Sequence, residues 1–403
     1  MTAAPVDLVL YGVTGYAGRI VAEYLQDTHG DTLSWAIAGR RPDALEAEAD
    51  ALARRRPDVP RVRTLVADST DPASLRALAA QAKAVCSTVG PYARWGAPLV
   101  AACVEEGTHY CDLTGEAQFV RAMIDAHHEQ ARSQGTAITH CCGFDSVPSD
   151  LGVFFLQSLA IERDGTPCDE IELLMKLKGG VSGGTIASMA QTFDDAADPA
   201  VRRVLGNPYA LAPGDRGPDT GEQRGVRYSD AGQVWTAPFV MASINERVVR
   251  RTNHLLAHRY GEGFRYGESM PTGAGLRGRA KAVAVTAGLG MFVLGMASRR
   301  LRPLVMSRLP DPGEGPSREA LASGFFRATL YGKRGGEVVA TAELHGQGDP
   351  GYGANACMLG ETAWCLATKG PSGAVGVTTP AAALGHDLVE RLHATRVQFY
   401  DRS

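Results

Sequence analysis

Short apolar runs, each followed by residues that are apolar only at every third or fourth position, recur from the beginning of the chain. Val6–Tyr11 is almost continuously apolar, as a strand buried on both faces of a parallel sheet requires. Ile20, Val21, Tyr24 and Leu25 follow at helical spacing. Further strands are expected at 34–38, 62–67, 84–89, 109–112 and 137–142, separated by helical patterns such as Leu45/Ala49/Leu52 and Phe119/Val120/Met123/Ile124/His127. This alternation predicts an α/β fold, with a Rossmann-type doubly wound parallel sheet over residues 1–150 and ligands at the carboxyl ends of its strands.

Beyond residue 169 the pattern changes to α+β. Strands are expected at 170–177, 234–242, 263–269, 324–330 and 338–345, the last two joined through the glycine-containing hairpin "YGKRGGE". Two stretches, 206–232 and 309–316, are rich in Gly, Pro and Asp and read as loops or lids. Leu384, Leu388, Val389 and Leu392 mark one face of a helix from Pro380 to about residue 395. The expected division is thus a nucleotide domain (1–150), an α+β substrate or dimerisation domain (151–375) and a C-terminal helical segment (376–403). One segment resists a single reading. Residues 282–298 carry no charge and are flanked by Arg277, Arg279 and Lys281 on one side and Arg299, Arg300 and Arg302 on the other. It reads as a core or dimer-interface helix, as a wall of an acyl channel or a peripheral membrane contact, or as a span, for which it is short.

Between the first strand and the first helix lies "YGVTGYAG", with Gly12, Gly15 and Gly18. A strand-to-helix turn of this kind lets a pyrophosphate approach unpaired backbone N–H groups at the positive end of the helix dipole. After the second strand stands Arg40, followed by Arg41, where an NAD site would place a carboxylate. A guanidinium there suits the 2′-phosphate of NADPH. Asp68, after the third strand, is placed either to bond the adenine or to cap the helix beginning near Pro72. The candidate cofactor-binding residues are therefore Gly12, Thr14, Gly15, Tyr16 and Gly18, then Arg40, Arg41 and Asp68, then Val89, Gly90 and Pro91.

Composition removes other classes. The chain has 403 residues, a formal net charge of −3, and 41 basic against 44 acidic residues intermixed, so nothing points to nucleic acid. Its eight cysteines are scattered without zinc-ligand spacing and read as reduced thiols, with no metal expected. The first strand begins almost at once, which leaves no room for a secretory signal, and a cytoplasmic location is expected.

Together "YGVTGYAG", "AGRRPDALE", "STVGPYARWGAPLVAACVEEGTHYCDLTGE", "CCGFDSVPSDLG", "WTAPFVMASINERVVRRTNHL", "GPSRE" and "GVTTPAAALGHDLVERL" resemble the saccharopine dehydrogenase-like oxidoreductases, most closely their trans-acting enoyl reductase branch. The resemblance implies hydride transfer from NADPH to an enoyl thioester of a polyketide or lipid, which a synthase or carrier protein would present, and a terminal helix that packs back on the nucleotide domain. The loops after strands four to six offer Pro91 and Tyr92, Tyr110 and Asp112, and Phe144, Asp145 and Ser146. Tyr92, Tyr110, Asp145 and Ser146 are the catalytic candidates, although each tyrosine could equally be a packing aromatic and Asp145 and Ser146 a turn and helix cap. His140 and Cys141 should face opposite ways on a strand, which argues against a cysteine nucleophile. Two other functions remain: a saccharopine-type amino-acid dehydrogenase and a non-catalytic NADPH-binding, lipid-associated adaptor.

Overall fold

The computed structural model describes residues 5–179, 183–308 and 317–403. The expected loop 309–316 lies outside the described residues. In chain order the first half contains β1 (Val6–Tyr11), α1 (Tyr16–His29), β2 (Trp35–Gly39), α2 (Pro42–Arg55), β3 (Arg63–Val66), α3 (Pro72–Ala79), β4 (Ala82–Ser87), α4 (Tyr92–Trp95), α5 (Ala97–Glu106), β5 (His109–Asp112), α6 (Ala117–Ser133), β6 (Ala137–Thr139) and α7 (Val147–Asp164). The middle contains β7 (Glu170–Lys178), α8 (Gly183–Asp195), α9 (Pro199–Gly206), β8 (Arg227–Ser229), β9 (Val234–Pro238), α10 (Ala242–Leu255), β10 (Arg265–Gly273), α11 (Gly275–Ala297) and α12 (Arg302–Met306). The remainder is α13 (Arg318–Ser323), β11 (Phe325–Arg334), β12 (Glu337–Gln347), α14 (Gly353–Thr368), β13 (Gly376–Thr378), α15 (Pro380–His393) and β14 (Val397–Asp401).

Two seven-stranded sheets result. The first has the order β13-β6-β5-β4-β1-β2-β3 and is parallel throughout. Its strands are apolar on both sides because helices cover both faces, and Leu8, Val9 and Leu10 are fully buried. The order reverses between β1 and β4, so the loops leaving these neighbours part at the carboxyl edge and open a crevice. The second sheet, β14-β12-β11-β7-β10-β9-β8, pairs β7 with β10 in parallel and its other strands antiparallel. Arg334 pairs with Glu337 across a two-residue turn in which Gly335 and Gly336 both have positive φ, 59° and 89°, as a type I′ hairpin requires.

Several expectations change. The strand expected to reach residue 142 ends at Thr139, because Cys141 turns into the left-handed region (φ 62°). The run to 242 breaks at Pro238, where the Ala242 amide bonds the Phe239 carbonyl and starts α10. Inside the expected loop 206–232 the short strand β8 forms against β9. The C-terminal segment supplies more than a helix: β13 joins the first sheet beside β6, and β14 joins the second beside β12. Helix α14 packs on α1, β4 and β5, and at Gly360 an added Cβ would lie 2.7 Å from the Tyr24 ring, so only glycine permits the approach. Beside it the buried Glu361 carboxylate accepts from Tyr24, His29 (2.8 Å) and Arg391 (2.8 Å). Burial pushes that carboxyl up, but these donors outweigh burial and hold it below the ordinary range.

Candidate active site

At the carboxyl edge of the first sheet the three glycines do different work. An added Cβ at Gly18 would lie 2.3 Å from the Gly12 carbonyl oxygen, and one at Gly12 would lie 2.6 Å from Val89 and 2.8 Å from Thr88. These two pack the turn against the β4 loop. At Gly15 the nearest atom is the Gly12 oxygen at 3.4 Å. Gly15 is exposed, occupies the N-cap of α1 with no side-chain cap, and precedes a first turn without an acidic residue. An anion is the natural complement of such a helix end.

Arg40 and Arg41 stand exposed just past β2, beside this turn, and form no ion pair among the described residues. Asp68 does not cap α3. Asp71 does, accepting from the Ala73 amide (3.0 Å), while Asp68 accepts from the backbone and hydroxyl of Thr70 (2.9 and 2.8 Å). Those bonds, and the nearby Arg40, hold the Asp68 carboxyl below its ordinary range. An uncapped helix end with an open glycine and two unpaired guanidiniums fits a phosphorylated dinucleotide.

A cavity of about 820 Å³ begins at Gly15, Tyr16 and Gly18, passes Gly90, Pro91, Tyr92 and Asp145, and ends among α8, α10 and α11. Gly12, Thr14 and Val89 lie outside its lining, as do Arg40, Arg41 and Asp68. Glu116, the residue before α6, organises its centre. Its buried carboxylate accepts from the amides of Tyr92 and Ala93 (both 2.8 Å) at the start of α4 and from the Ser188 hydroxyl (2.7 Å) on α8. Burial pushes its carboxyl up against those bonds.

The tyrosines are not arranged as proton donors to this space. The Tyr92 hydroxyl donates to the Ser87 carbonyl (3.0 Å) and accepts from the Leu113 amide (3.2 Å). Tyr110 is wholly buried away from the cavity, and its hydroxyl donates to Asp112 (3.1 Å). Asp112 also bonds His140 Nδ1 (2.7 Å) and accepts from the Thr114 and Cys141 amides. Burial pushes the Cys141 thiol far up, with Asp112 and Asp145 adding to the effect, and the residue lies outside the cavity lining, which argues against a cysteine nucleophile. Ser146 does not reach the cavity either. It is fully buried outside the cavity and its hydroxyl donates to Asn245 (3.0 Å), which in turn donates to Glu268 (2.7 Å) in a network with Ser149 and Tyr266.

Asp145 alone among the four reaches the cavity with its carboxyl uncommitted to another side chain. Burial raises it from 3.8 to about 7, its own amide lowering and Asp112 raising it further. The far end is apolar. Met189 and Phe193 of α8, Phe239 and Met241 before α10, and Leu289 and Val293 of α11 wall it. The segment 282–298 is therefore no core helix: one face of α11 borders the cavity, and from Val283 to Leu294 no residue is buried.

The sequence reading missed Glu116, Tyr352 and Asn355. Glu116 carried a signal, a carboxylate at the boundary of a helix; Tyr352, whose ring meets Tyr16 edge-on at 4.7 Å, and Asn355, which accepts from the Phe144 amide (2.8 Å), come from a distant segment and carried none. No metal ligand was expected either, yet Asp215, His254 and His258 converge away from the cavity, with the carboxylate bonding the two rings at 3.1 and 3.0 Å.

Residues 8–139 match the saccharopine dehydrogenase NADP-binding domain, which makes NADPH the cofactor that the glycine turn and the arginines fit. Over 416 residues, 98% of each chain, the protein is 44% identical to a Mycobacterium tuberculosis protein named as a trans-acting enoyl reductase. A trans-acting enoyl reductase of Mycobacterium ulcerans is 38% identical over 412 residues, 97% of this chain and 96% of its own. In fold the protein is similar to saccharopine dehydrogenase (L-Glu forming) of Saccharomyces cerevisiae, with a TM-score of 0.53 and 13% identity over 98% and 99% of the two chains. The glycine turn, the paired sheets and this full-length likeness place the chain in the saccharopine dehydrogenase-like oxidoreductase family, in its trans-acting enoyl reductase branch.

Proposed function

We propose that the protein is an NADPH-dependent enoyl reductase that reduces a C=C bond of a lipid or polyketide thioester. The observation that carries this reading is the continuity of one cavity from the open end of α1 to the apolar walls of α8 and α11. NADPH, when bound, supplies the hydride to the β-carbon. Gly15 and the first turn of α1 hold the pyrophosphate, and Arg40 with Arg41 holds the 2′-phosphate. Charge then builds on the thioester oxygen and the α-carbon takes a proton. Asp145 gives that proton. Of the carboxyls lining the cavity, Glu116 is occupied by three donors and Glu222 lies on the outer loop, whereas Asp145 is poised near neutrality. We place this reaction in the cytoplasm, on a thioester presented by a synthase or carrier protein, a reading in keeping with relatives named as trans-acting.

A saccharopine-type substrate carries several carboxylates and calls for converging cations, and among the described residues Arg224 is the one cationic residue in the lining. An adaptor would have no use for a carboxyl tuned to neutrality inside the cavity. The test is NADPH oxidation measured in parallel with enoyl thioesters of increasing chain length and with saccharopine-pathway substrates. The expected result is turnover of enoyl thioesters alone; turnover of the amino-acid substrates alone overturns the reading, and turnover of neither favours the adaptor.

A further inference from the structure

Helix α11 is apolar on faces that the rest of the protein leaves open. Thr286, Leu289, Gly290 and Val293, at helical spacing, border the cavity. The outer side carries Val283 (53% exposed), Met291 (69%) and Leu294 (70%) and continues past the helix to Leu301 (51%) and Leu304 (54%). A contiguous apolar surface of this kind marks a docking site rather than a solvated face.

Charge identifies the occupant. Between Glu268 and Asp311 the chain has no acidic residue but seven basic ones: Arg277, Arg279, Lys281, Arg299, Arg300, Arg302 and Arg308. Arg302 pairs with Asp194 and Arg279 lies over the Trp235 ring, whereas Arg277, Lys281, Arg299 and Arg300 form no ion pair among the described residues. All of this sits in a chain whose formal net charge is −3.

We propose that the outer face of α11 and α12 docks the protein on an anionic lipid surface. A second copy meeting this face about a two-fold axis would set the same basic clusters against each other. An acidic protein would answer the arginines but not the uncharged stretch 282–298 that separates them. An interfacial membrane layer answers both, with lipid headgroups at the basic ends and the acyl boundary under Met291 and Leu294. The helix lies along the surface and does not cross it, because its N-terminal part packs on β9 and β10 and Gly278 sits directly on Gly273. The other side of this docking helix is the cavity wall, so a lipid-borne acyl chain has one helix thickness, about 10 Å, to pass. That last step rests on the enoyl reductase reading; the docking does not.

The experiment is flotation of the full chain with vesicles of phosphatidylcholine alone or with about 30 mol% phosphatidylglycerol, at about 0.1 and 0.5 M salt. Wild type is expected to float with the anionic vesicles at low salt and at least about tenfold less with neutral vesicles or at high salt. Met291→Glu/Leu294→Glu, altered only on the outer face, should bind NADPH like wild type yet lose flotation at least about tenfold, and Arg299→Glu/Arg300→Glu should do the same. The arginine pair keeps the test decisive if the apolar pair fails to fold. Wild type that floats with neither vesicle, or equally with both, overturns the proposal. So does a solution dimer that Met291→Glu/Leu294→Glu splits into monomers, or a basic-face complex with an acidic carrier protein in the absence of vesicle binding. Because the readout is flotation, its failure leaves enoyl reduction standing, and a failed reductase assay leaves docking standing.

Discussion

The two ends of the cavity are built from different materials. At the nucleotide end a ligand would meet main chain: Gly15, the first turn of α1 and the loop after β4, all fixed by hydrogen-bonded parallel strands. At the far end it meets side chains on helices that are themselves lightly held, above all α11, of which four residues are buried. The first kind of wall can bind one class of ligand with little adjustment. The second kind selects by apolar area and tolerates variation in length. On the proposed function, recognition of an invariant cofactor and of a variable acyl chain would thereby be separated along one space.

Substitutions at each end should separate them further. Gly15→Val should give the largest effect, loss of NADPH affinity by about a thousandfold or more in a folded protein, since its Cβ is tolerated but its branches occupy the phosphate position; a titration followed by circular dichroism decides this. Gly18→Val should instead fail to fold. Asp145→Asn should lower kcat by about 10²–10⁴ without changing NADPH affinity. In wild type the rate should fall as pH rises through about 7, where Asp145 ionises, and the variant should lack this limb. The sign for stability is the same. A carboxyl raised from 3.8 to about 7 favours the folded state while protonated and loses that contribution as pH rises through 7, so denaturation midpoints of Asp145→Asn should fall less over that interval.

Smaller effects follow. Arg40→Ala should cost about 1.5–3 kcal/mol of NADPH binding, roughly ten- to hundredfold, and leave NADH unaffected. At the acyl end, Leu289→Asp should remove the chain-length preference, worth about 0.8 kcal/mol or fourfold per methylene in kcat/KM, with NADPH affinity kept. Met291 and Leu294, on the outer face, should not alter that preference. Smallest of all, Ser146→Ala should lower stability by about 1 kcal/mol through its lost bond to Asn245 and leave kcat/KM for short thioesters unchanged.

What was legible in the sequence follows the same division. The parallel sheet announced itself because doubly buried strands are apolar without interruption, as 6–11 is, and because the turn at Gly12–Gly18 has a backbone requirement that only glycine meets. The position of Arg40 just past β2 was readable since it follows from strand order alone. Tyr110 and Ser146 were misread because position on a loop does not say which way a hydroxyl points, and both found partners inside the protein. Glu116 was overlooked because its three donors come from α4 and α8, which only the tertiary fold brings together. Helix α11 could not be resolved beforehand, since its composition is the same whether protein, ligand or lipid lies against it. Its exposure removes the core reading.

The last 28 residues put one strand into each sheet, β13 beside β6 and β14 beside β12. During synthesis the nucleotide domain must therefore wait. Its residues leave the ribosome first, yet β6 remains an open edge until Gly376–Thr378 has been made, and β12 remains one until Val397–Asp401 has followed. Two unpaired strand edges on a nascent chain invite pairing with other chains, and in the folded protein the outermost place in each sheet passes to β13 and β14. For the same reason a fragment ending at residue 150 retains the glycine turn but lacks the outermost strand of its sheet, and a truncation before Gly376 takes the outermost strand from both sheets at once.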